Sequence, residues 1–365
     1  MLSATTFLPT EYTDHVGQQL SPIAERHFVK TVRLTETGSY DGLALLDEAV
    51  PTPGPTDVLI RVHAASLNFR DTIIAKGTYP GPLKDRPVPL SDGAGEVVAV
   101  GREVSRIAVG DRVTANCHVH WIAGSLLPEY RNHSVGMTLD GMLSEYALLH
   151  ENAILRIPDY LSYVEAASLP CAAVSAWTAL HVAEPLRPGQ TVLVQGTGGV
   201  ALFGLQIART FGARVLAITS SELKAQKLRE LGADEVVNYN EFPDWSKQIL
   251  EITDGRGVDK VVEIGGEATI QQSAACTRIG GEIGLVGFVS GFGGGLAPIA
   301  IMSRALQLKG VSVGPRQNFE ALLAAMAVSE TRPVIDSVYP FTDYKDAYRH
   351  LESGSHVGKV AIELP

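Results

Sequence analysis

Cysteine is scarce. Only Cys117, Cys171 and Cys276 occur in 365 residues, far apart in the chain. A sparse, odd count excludes a disulfide framework and fits a reducing compartment, so a cytoplasmic location is expected. Basic charge is also short, with 30 Lys and Arg against 40 Asp and Glu. The net charge of −10 opposes phosphate backbones and anionic lipid, and neither nucleic acid nor a membrane is expected as a partner. The opening MLSATTFLPTEYTDH has neither the basic start nor the apolar core of a secretory signal. One uncharged run, Ile283 to Met302, has the length of a membrane span, but its six glycines, Ser290 and Pro298 read as strand, loop and helix start. No internal repeat or low-complexity tract is present, which leaves a repeat scaffold unsupported.

What is there is a globular composition, 45% apolar with 36 Gly and 20 Pro, and at about 150 residues per domain the length implies two domains. Residues 1–30 lack a clear period and read as an extension before a first strand at about Lys30 to Leu34. Residues 31–160 carry short β-rich runs punctuated by Pro and Gly, among them Asp57 to Leu67, Gly95 to Gly101 and Gly141 to Leu149, and suit a small barrel-like fold. Tyr163 to Ala183 has Ala-rich helical periodicity. From Gln190, six apolar strands alternate with amphipathic helices, the pattern of a doubly wound parallel sheet, so residues 161–319 are assigned to a dinucleotide domain. Residues 320–365 return to helix and strand and are expected to rejoin the first domain.

The sharpest motif follows the strand Thr191 to Gln195. It reads Gly196-Thr197-Gly198-Gly199-Val200-Ala201 and leads straight into a helix. The first glycine permits a tight turn, the second lets backbone approach a pyrophosphate, and Ala201 allows close helix-on-strand packing, with the helix N-terminus facing the anion. At the end of the second strand, where an NAD enzyme places a carboxylate, the chain has Thr219-Ser220-Ser221, with Lys224 one turn on. Hydroxyls and a cation suit a 2′-phosphate, so NADP(H) is the expected cofactor. Glu222 is the rival feature, able to serve NAD if the strand runs one or two residues longer. Because ligands sit at strand C-termini, Gly265 and the segment Val286 to Phe288, including Gly287, should border the nicotinamide.

Ser66-LNFRD-Asp71, Gly93-AGEVVAVG-Gly101, Gly110-DRV-Val113, Leu169-PCAAVSAWTAL-Leu180 and Leu231-GADEVVNY-Tyr239, together with the glycine loop, resemble the medium-chain dehydrogenase/reductase superfamily over residues 30–365. The resemblance is nearest to the zinc-less quinone oxidoreductase and enoyl reductase branch. It implies a GroES-like catalytic domain beside a Rossmann domain. It also implies that Ser175 faces the nicotinamide, that Tyr239 lies near the adenosine phosphate, and that Lys359 sits near the cleft, with simple surface solvation as the alternative for Lys359. The family's catalytic zinc ligands map to Asn68, Ser91-Asp92 and Cys171, and only Asp92 and Cys171 are plausible ligands. The four clustered cysteines of the family's structural zinc lobe reduce here to Cys117, and Cys117-His118, His120 and His133 read as a surface loop with chance histidines. No metal is expected, and Cys171 reads as a buried apolar residue.

Without a Lewis acid, charge developing on a substrate oxygen needs hydrogen-bond donors. Asn68 is one candidate, with helix capping as its structural alternative. Tyr79, in Lys76-GTYPG-Gly81, matches a position where enoyl reductases carry a proposed proton donor; loop packing is its alternative. Arg70 and Asp71 read as a pair that fixes local structure. The expectation is an NADPH-dependent, zinc-independent reductase of an activated C=C bond or quinone, with a carbonyl, enone or quinone substrate. An alcohol or carbonyl dehydrogenase, or a cofactor-binding protein without turnover, is the alternative. The glycine-rich Phe288 to Gly295 segment lies where relatives pair sheet edges, so a homodimer is expected, unless the segment is a loop over the substrate.

Overall fold

The computed structural model describes residues 28–365; most of the expected N-terminal extension, residues 1–30, lies outside the described residues. The chain begins with β1 (Phe28–Leu34) and β2 (Leu43–Ala49), an antiparallel pair, followed by β3 (Asp57–Ser66), α1 (Phe69–Ala75) and β4 (Asp92–Val100). Then come β5 (Arg112–Ala115), α2 (Pro128–Arg131), β6 (Tyr146–His150), β7 (Ile154–Arg156), α3 (Tyr163–Ala167) and α4 (Ala172–Leu180). The helical stretch breaks between α3 and α4 at Pro170, which has no N–H to continue the ladder.

The second half alternates in register: β8 (Thr191–Gln195), α5 (Gly199–Thr210), β9 (Arg214–Thr219), α6 (Glu222–Glu230), β10 (Glu235–Asn238), α7 (Trp245–Ile252), β11 (Val258–Glu263), α8 (Ile270–Cys276) and β12 (Thr277–Leu285). It continues through α9 (Pro298–Met302), β13 (Gln307–Gly310), α10 (Arg316–Ser329), β14 (Ile335–Pro340), α11 (Tyr344–Ser353) and β15 (Lys359–Glu363). The six strands β8 to β13 form one all-parallel sheet in the order β10-β9-β8-β11-β12-β13. The doubly wound six-stranded architecture is therefore as read. β12 starts earlier than expected and stops at Leu285, which puts Gly287 and Phe288 in the loop beyond it rather than in the strand.

The other sheet runs β14-β15-β3-β4-β5-β7, with β6 also on β3, and β15 pairs antiparallel with β3 through Ala361, Ile362 and Glu363. The C-terminal strand thus sits beside the start of α1. Gly358, with φ +101°, donates its N–H to Thr197 O at 2.8 Å. A side chain there would strike Val334 O, so glycine alone lets the last strand touch the glycine loop. The two halves of the chain meet at this point, and the cleft opens there.

One expectation fails in the loop after β5. Cys117, Val119 and Trp121 alternate inward and are buried, as is His118, and Val119 N and Val135 N bond to His133 O and Cys117 O, both at 3.0 Å. This stretch is paired, buried backbone and not a surface loop; the period-two pattern Cys-x-Val-x-Trp was the overlooked signal.

Candidate active site

The glycine loop has the backbone its motif requires. Gly196 sits at φ +75°, in the left-handed region open to glycine, and Gly198 caps α5 with extended backbone. A Cβ at Gly198 would meet no protein atom within 4 Å, whereas one at Gly199 would lie 2.6 Å from the Lys359 chain. Gly198 therefore borders open space at a 12-residue helix's N-terminus, and Gly199 borders protein. Val200 is half-buried in the first turn, and Ala201 is fully buried against the sheet. These residues fit the pyrophosphate of a dinucleotide.

At the end of β9, Ser221 caps α6, its hydroxyl accepting from Lys224 N, and Ser220 O accepts from the Asn240 amide at 2.7 Å. Asn240 was not singled out in the sequence, although it follows Tyr239, whose N–H bonds to Thr219 O at 2.9 Å. Lys224 Nζ donates to Gly354 O at 2.6 Å. Glu222, the rival, is turned along its own helix to Arg229 at 2.6 Å.

At the ends of β8 and β11, Gln195 and the fully buried Glu263 form a polar floor. Gln195 Nε2 donates to Glu263 at 2.7 Å, its Oε1 accepts from Ile264 N and Gly265 N at 3.1 Å, and Glu263 also receives Gly266 N, Thr269 and Ser273. Sequence reasoning missed this pair; a polar residue directly after two or three apolar ones at the C-terminal end of each strand was its trace. Gly287 has no room for a side chain against Ile264 O. Phe288 stacks on Phe292 at 4.5 Å and faces Tyr79 at 6.3 Å and Phe69 at 6.2 Å. The Phe288 to Gly295 segment forms no strand. It crosses the cleft toward Tyr79, and β13, with β10 at the far side, is one of the two edge strands of the parallel sheet.

The catalytic-domain face gathers a charged, buried cluster. Asn68 caps α1, its N–H donating to Asp71 Oδ2 at 2.7 Å, and Asn68 Oδ1 accepts from Lys359 Nζ at 2.6 Å while its buried Nδ2 has no partner. Asn68 thus caps through its backbone, and among the described residues its amide N–H meets no acceptor. Lys359 is 3% exposed, which overturns surface solvation. Its ammonium also donates to Leu67 O at 2.7 Å and lies 3.5 Å from Asp92 Oδ2. Asp92 is fully buried and further accepts from Ser91 Oγ at 2.8 Å and Cys171 N at 3.3 Å. Ser175 is buried one turn beyond Cys171 on α4. Cys171 is only partly buried, not the sealed apolar residue expected, because its backbone and thiol line this polar cluster.

Asp92, Cys117 and Cys171 bring one potential ligand atom each within 4.8 Å of one another, adding Cys117 to the pair the sequence allowed. The fit to zinc is poor on charge. Asp92 is already balanced by an ammonium, and the hydrogen bond that the Cys117 thiol makes with Cys171, burial and the Asp92 charge push that thiol above its usual range. Zinc needs thiolate.

Comparison with known proteins now places the chain. Residues 54–159 match the family model described as the alcohol dehydrogenase GroES-like domain, and residues 199–328 match that of zinc-binding dehydrogenases. A zinc-type alcohol dehydrogenase-like protein of Schizosaccharomyces pombe is 39% identical, over 90% of this chain and 97% of its own. The chain belongs to the medium-chain dehydrogenase/reductase superfamily. It is an oxidoreductase, and its parallel-sheet domain is the NAD(P)-binding one. Human quinone oxidoreductase is 29% identical over 92% of this chain and 98% of its own. The crystal structure of a putative alcohol dehydrogenase from Sinorhizobium meliloti superposes with a TM-score of 0.87 at 37% identity, covering 93% of this chain and 99% of its own. Among the described residues no helix is long and apolar enough to cross a membrane.

Proposed function

We propose that this medium-chain dehydrogenase/reductase is an NADPH-dependent, zinc-independent reductase of an activated C=C bond or quinone. The observation that carries the reading is the buried cluster in which the Lys359 ammonium lies 3.5 Å from Asp92 Oδ2. Resemblance to quinone oxidoreductase supports the substrate class. Ser220, Ser221 and Lys224, with Glu222 drawn away to Arg229, support NADP(H) over NAD. The domain division at 31–160 with 320–365, and 161–319, is part of this reading. So are a cytoplasmic homodimer and the absence of nucleic-acid and membrane partners. The β13 edge and the exposed Ile299 and Met302 favour the dimer.

Gly196, Gly198, Gly199 and Val200 would hold the pyrophosphate, and Ser220, Ser221, Lys224 and Tyr239 the adenosine end. Ser175, Gly265, Gly287, Phe288 and Lys359 would border the nicotinamide. When bound, the cofactor supplies a hydride. Asn68 offers its free Nδ2–H to a substrate oxygen or a ribose hydroxyl. Lys359 fixes the orientation of that amide through Oδ1. Tyr79 supplies the proton from its phenolic O–H. Phe288 and Phe292 shield the tyrosine from water.

The test is to titrate metal-stripped protein with NADPH and NADH, then follow oxidation of the bound cofactor by a quinone, an enone and an aldehyde. Tight NADPH binding with quinone or enone turnover is expected. Activity that returns only with added zinc would instead assign Asp92, Cys117 and Cys171 as ligands of an alcohol dehydrogenase, and binding without turnover would make the protein a cofactor-binding one. Mass in solution tests the dimer.

A further inference from the structure

Two cations border the cleft, Lys359 buried and Arg70 partly exposed with a buried Nε, and they differ in what they have left to give. Lys359 spends its three protons on Leu67 O, Asn68 Oδ1 and the Asp92 carboxylate. Arg70, on the first turn of α1, carries five N–H donors, yet among the described residues its one hydrogen bond is a long 3.4 Å contact to Ser134 Oγ, and its buried Nε has no partner. Its sequence neighbour does not pair with it, because Asp71 turns its carboxylate back to Asn68 N. The guanidinium lies instead 5.5 Å over the Tyr79 ring, and Tyr79 faces Phe288 across the cleft. A buried donor such as the Arg70 Nε is normally hydrogen-bonded, since leaving one unsatisfied is costly. A cation kept unpaired beside the expected proton donor is poised for an anion that arrives with the substrate.

We infer that Arg70 is a catalytic residue, its guanidinium taking the oxygen on which negative charge collects when hydride enters a conjugated carbonyl or quinone; this rests on the reductase reading. As hydride reaches the β-carbon of an enone, the C=C electron pair shifts and the carbonyl oxygen takes the charge. Protonation at the α-carbon, from Tyr79, restores C=O. One hydride, supplied by NADPH, and one proton are consumed per double bond. A cation that meets charge only as it forms stabilises the transition state selectively. This reverses the sequence reading of Arg70 as a structural partner of Asp71.

The test uses Arg70→Gln and Arg70→Lys in the full chain, with cyclohexenone and menadione as substrates. Arg70→Gln is expected to lower kcat by roughly 10²–10³-fold, the usual effect of losing one oxyanion donor, with NADPH affinity unchanged. Arg70→Lys should recover part of the loss. Thermal stability of Arg70→Gln should equal or exceed that of the parent, because no ion pair is broken. Retained kcat, a parallel loss of NADPH affinity, or a clear fall in stability would each overturn the inference, the last by marking a structural anchor. If the parent reduces neither substrate, the reductase reading fails and binding of cinnamate, a stable carboxylate, decides the rest by calorimetry. Binding lost in Arg70→Gln keeps Arg70 as an oxyanion site, and binding equal in both proteins, or absent from both, overturns it.

Discussion

Among the described residues the molecule buries two lysine–carboxylate pairs, one in each sheet region, and they are built to opposite standards. Lys260 and Glu282, on neighbouring strands β11 and β12, meet at 2.6 Å with 1% and 7% of their side chains exposed. Every polar group is satisfied: Lys260 also donates to Glu184 O at 2.7 Å, and Glu282 accepts from Ala183 N and Glu184 N. Lys359 and Asp92 are as deeply buried but sit 3.5 Å apart, beside an orphaned Asn68 amide, two thiols and the unpaired Arg70. A closed pair specifies structure. A loose pair with spare donors is what a reaction site needs, because its groups must accept new charge without first breaking strong bonds.

Breaking the closed pair should have the largest effect on stability. Lys260→Met leaves Glu282 buried and uncompensated, which costs about 3–5 kcal/mol, visible in the denaturation midpoint. The folded fraction should keep its kcat. Lys260→Met with Glu282→Gln should recover part of the loss, since the buried charge is gone while the one amide oxygen replaces only one of the two carboxylate oxygens that accept from Ala183 N and Glu184 N. An unrecovered double variant would show that the pair is not closed in the sense argued here.

The same change in the loose pair should move activity more than stability. Lys359→Met releases the Asn68 amide and leaves Asp92 with Ser91, Cys171 N and the Cys117 thiol, and kcat should fall by about 10²-fold while the midpoint moves less than for Lys260→Met. A loss of stability as large as in Lys260→Met would erase the distinction. Tyr79→Phe removes only the phenolic donor, so enone turnover should fall by about 10–10²-fold with NADPH affinity intact. If turnover is unchanged, Tyr79 is packing.

The closed pair was invisible in sequence, and so was most of the loose one. What sequence showed well was periodic or backbone-dictated: the alternation of β8 to β13 with helices, and Gly196, Gly198 and Gly199 in register between strand and helix. Elements whose limits depend on tertiary pairing were misplaced, as where β12 stops at Leu285. Lys359 was legible only as a residue near the cleft, since its acceptors lie at positions 67, 68 and 92, brought together by the pairing of β15 with β3 and of β3 with β4. Cys117 was misread because a histidine-rich stretch suggests surface, whereas its alternate residues point inward. Arg70 and Asp71 read as a structural pair from their adjacency, whereas the Asp71 carboxylate bonds to Asn68 N and the Arg70 guanidinium lies over the Tyr79 ring.

The smallest effect should come from titration around Arg70, where two buried groups oppose each other. Burial raises the Asp71 carboxyl to about 6, against the pull of the Arg70 charge. Burial, then the same guanidinium, lowers His118 to about 4. The folded state therefore takes up a proton at Asp71 more readily than the unfolded chain, and this contribution is full below the unfolded value of 3.8 and lost as pH rises through 6. For His118 the sign is reversed: its contribution is full above 6.5 and lost as pH falls through 4. Each is worth roughly 2–3 kcal/mol, so between pH 4 and 6 they largely cancel and the parent's midpoint should change little on their account. Asp71→Asn removes the compensating gain and should steepen the acid loss, while His118→Asn should flatten it. Thermal melts at pH 4.5 and 7 read both, and two variants shifting in the same direction would show that the two groups do not oppose each other across Arg70.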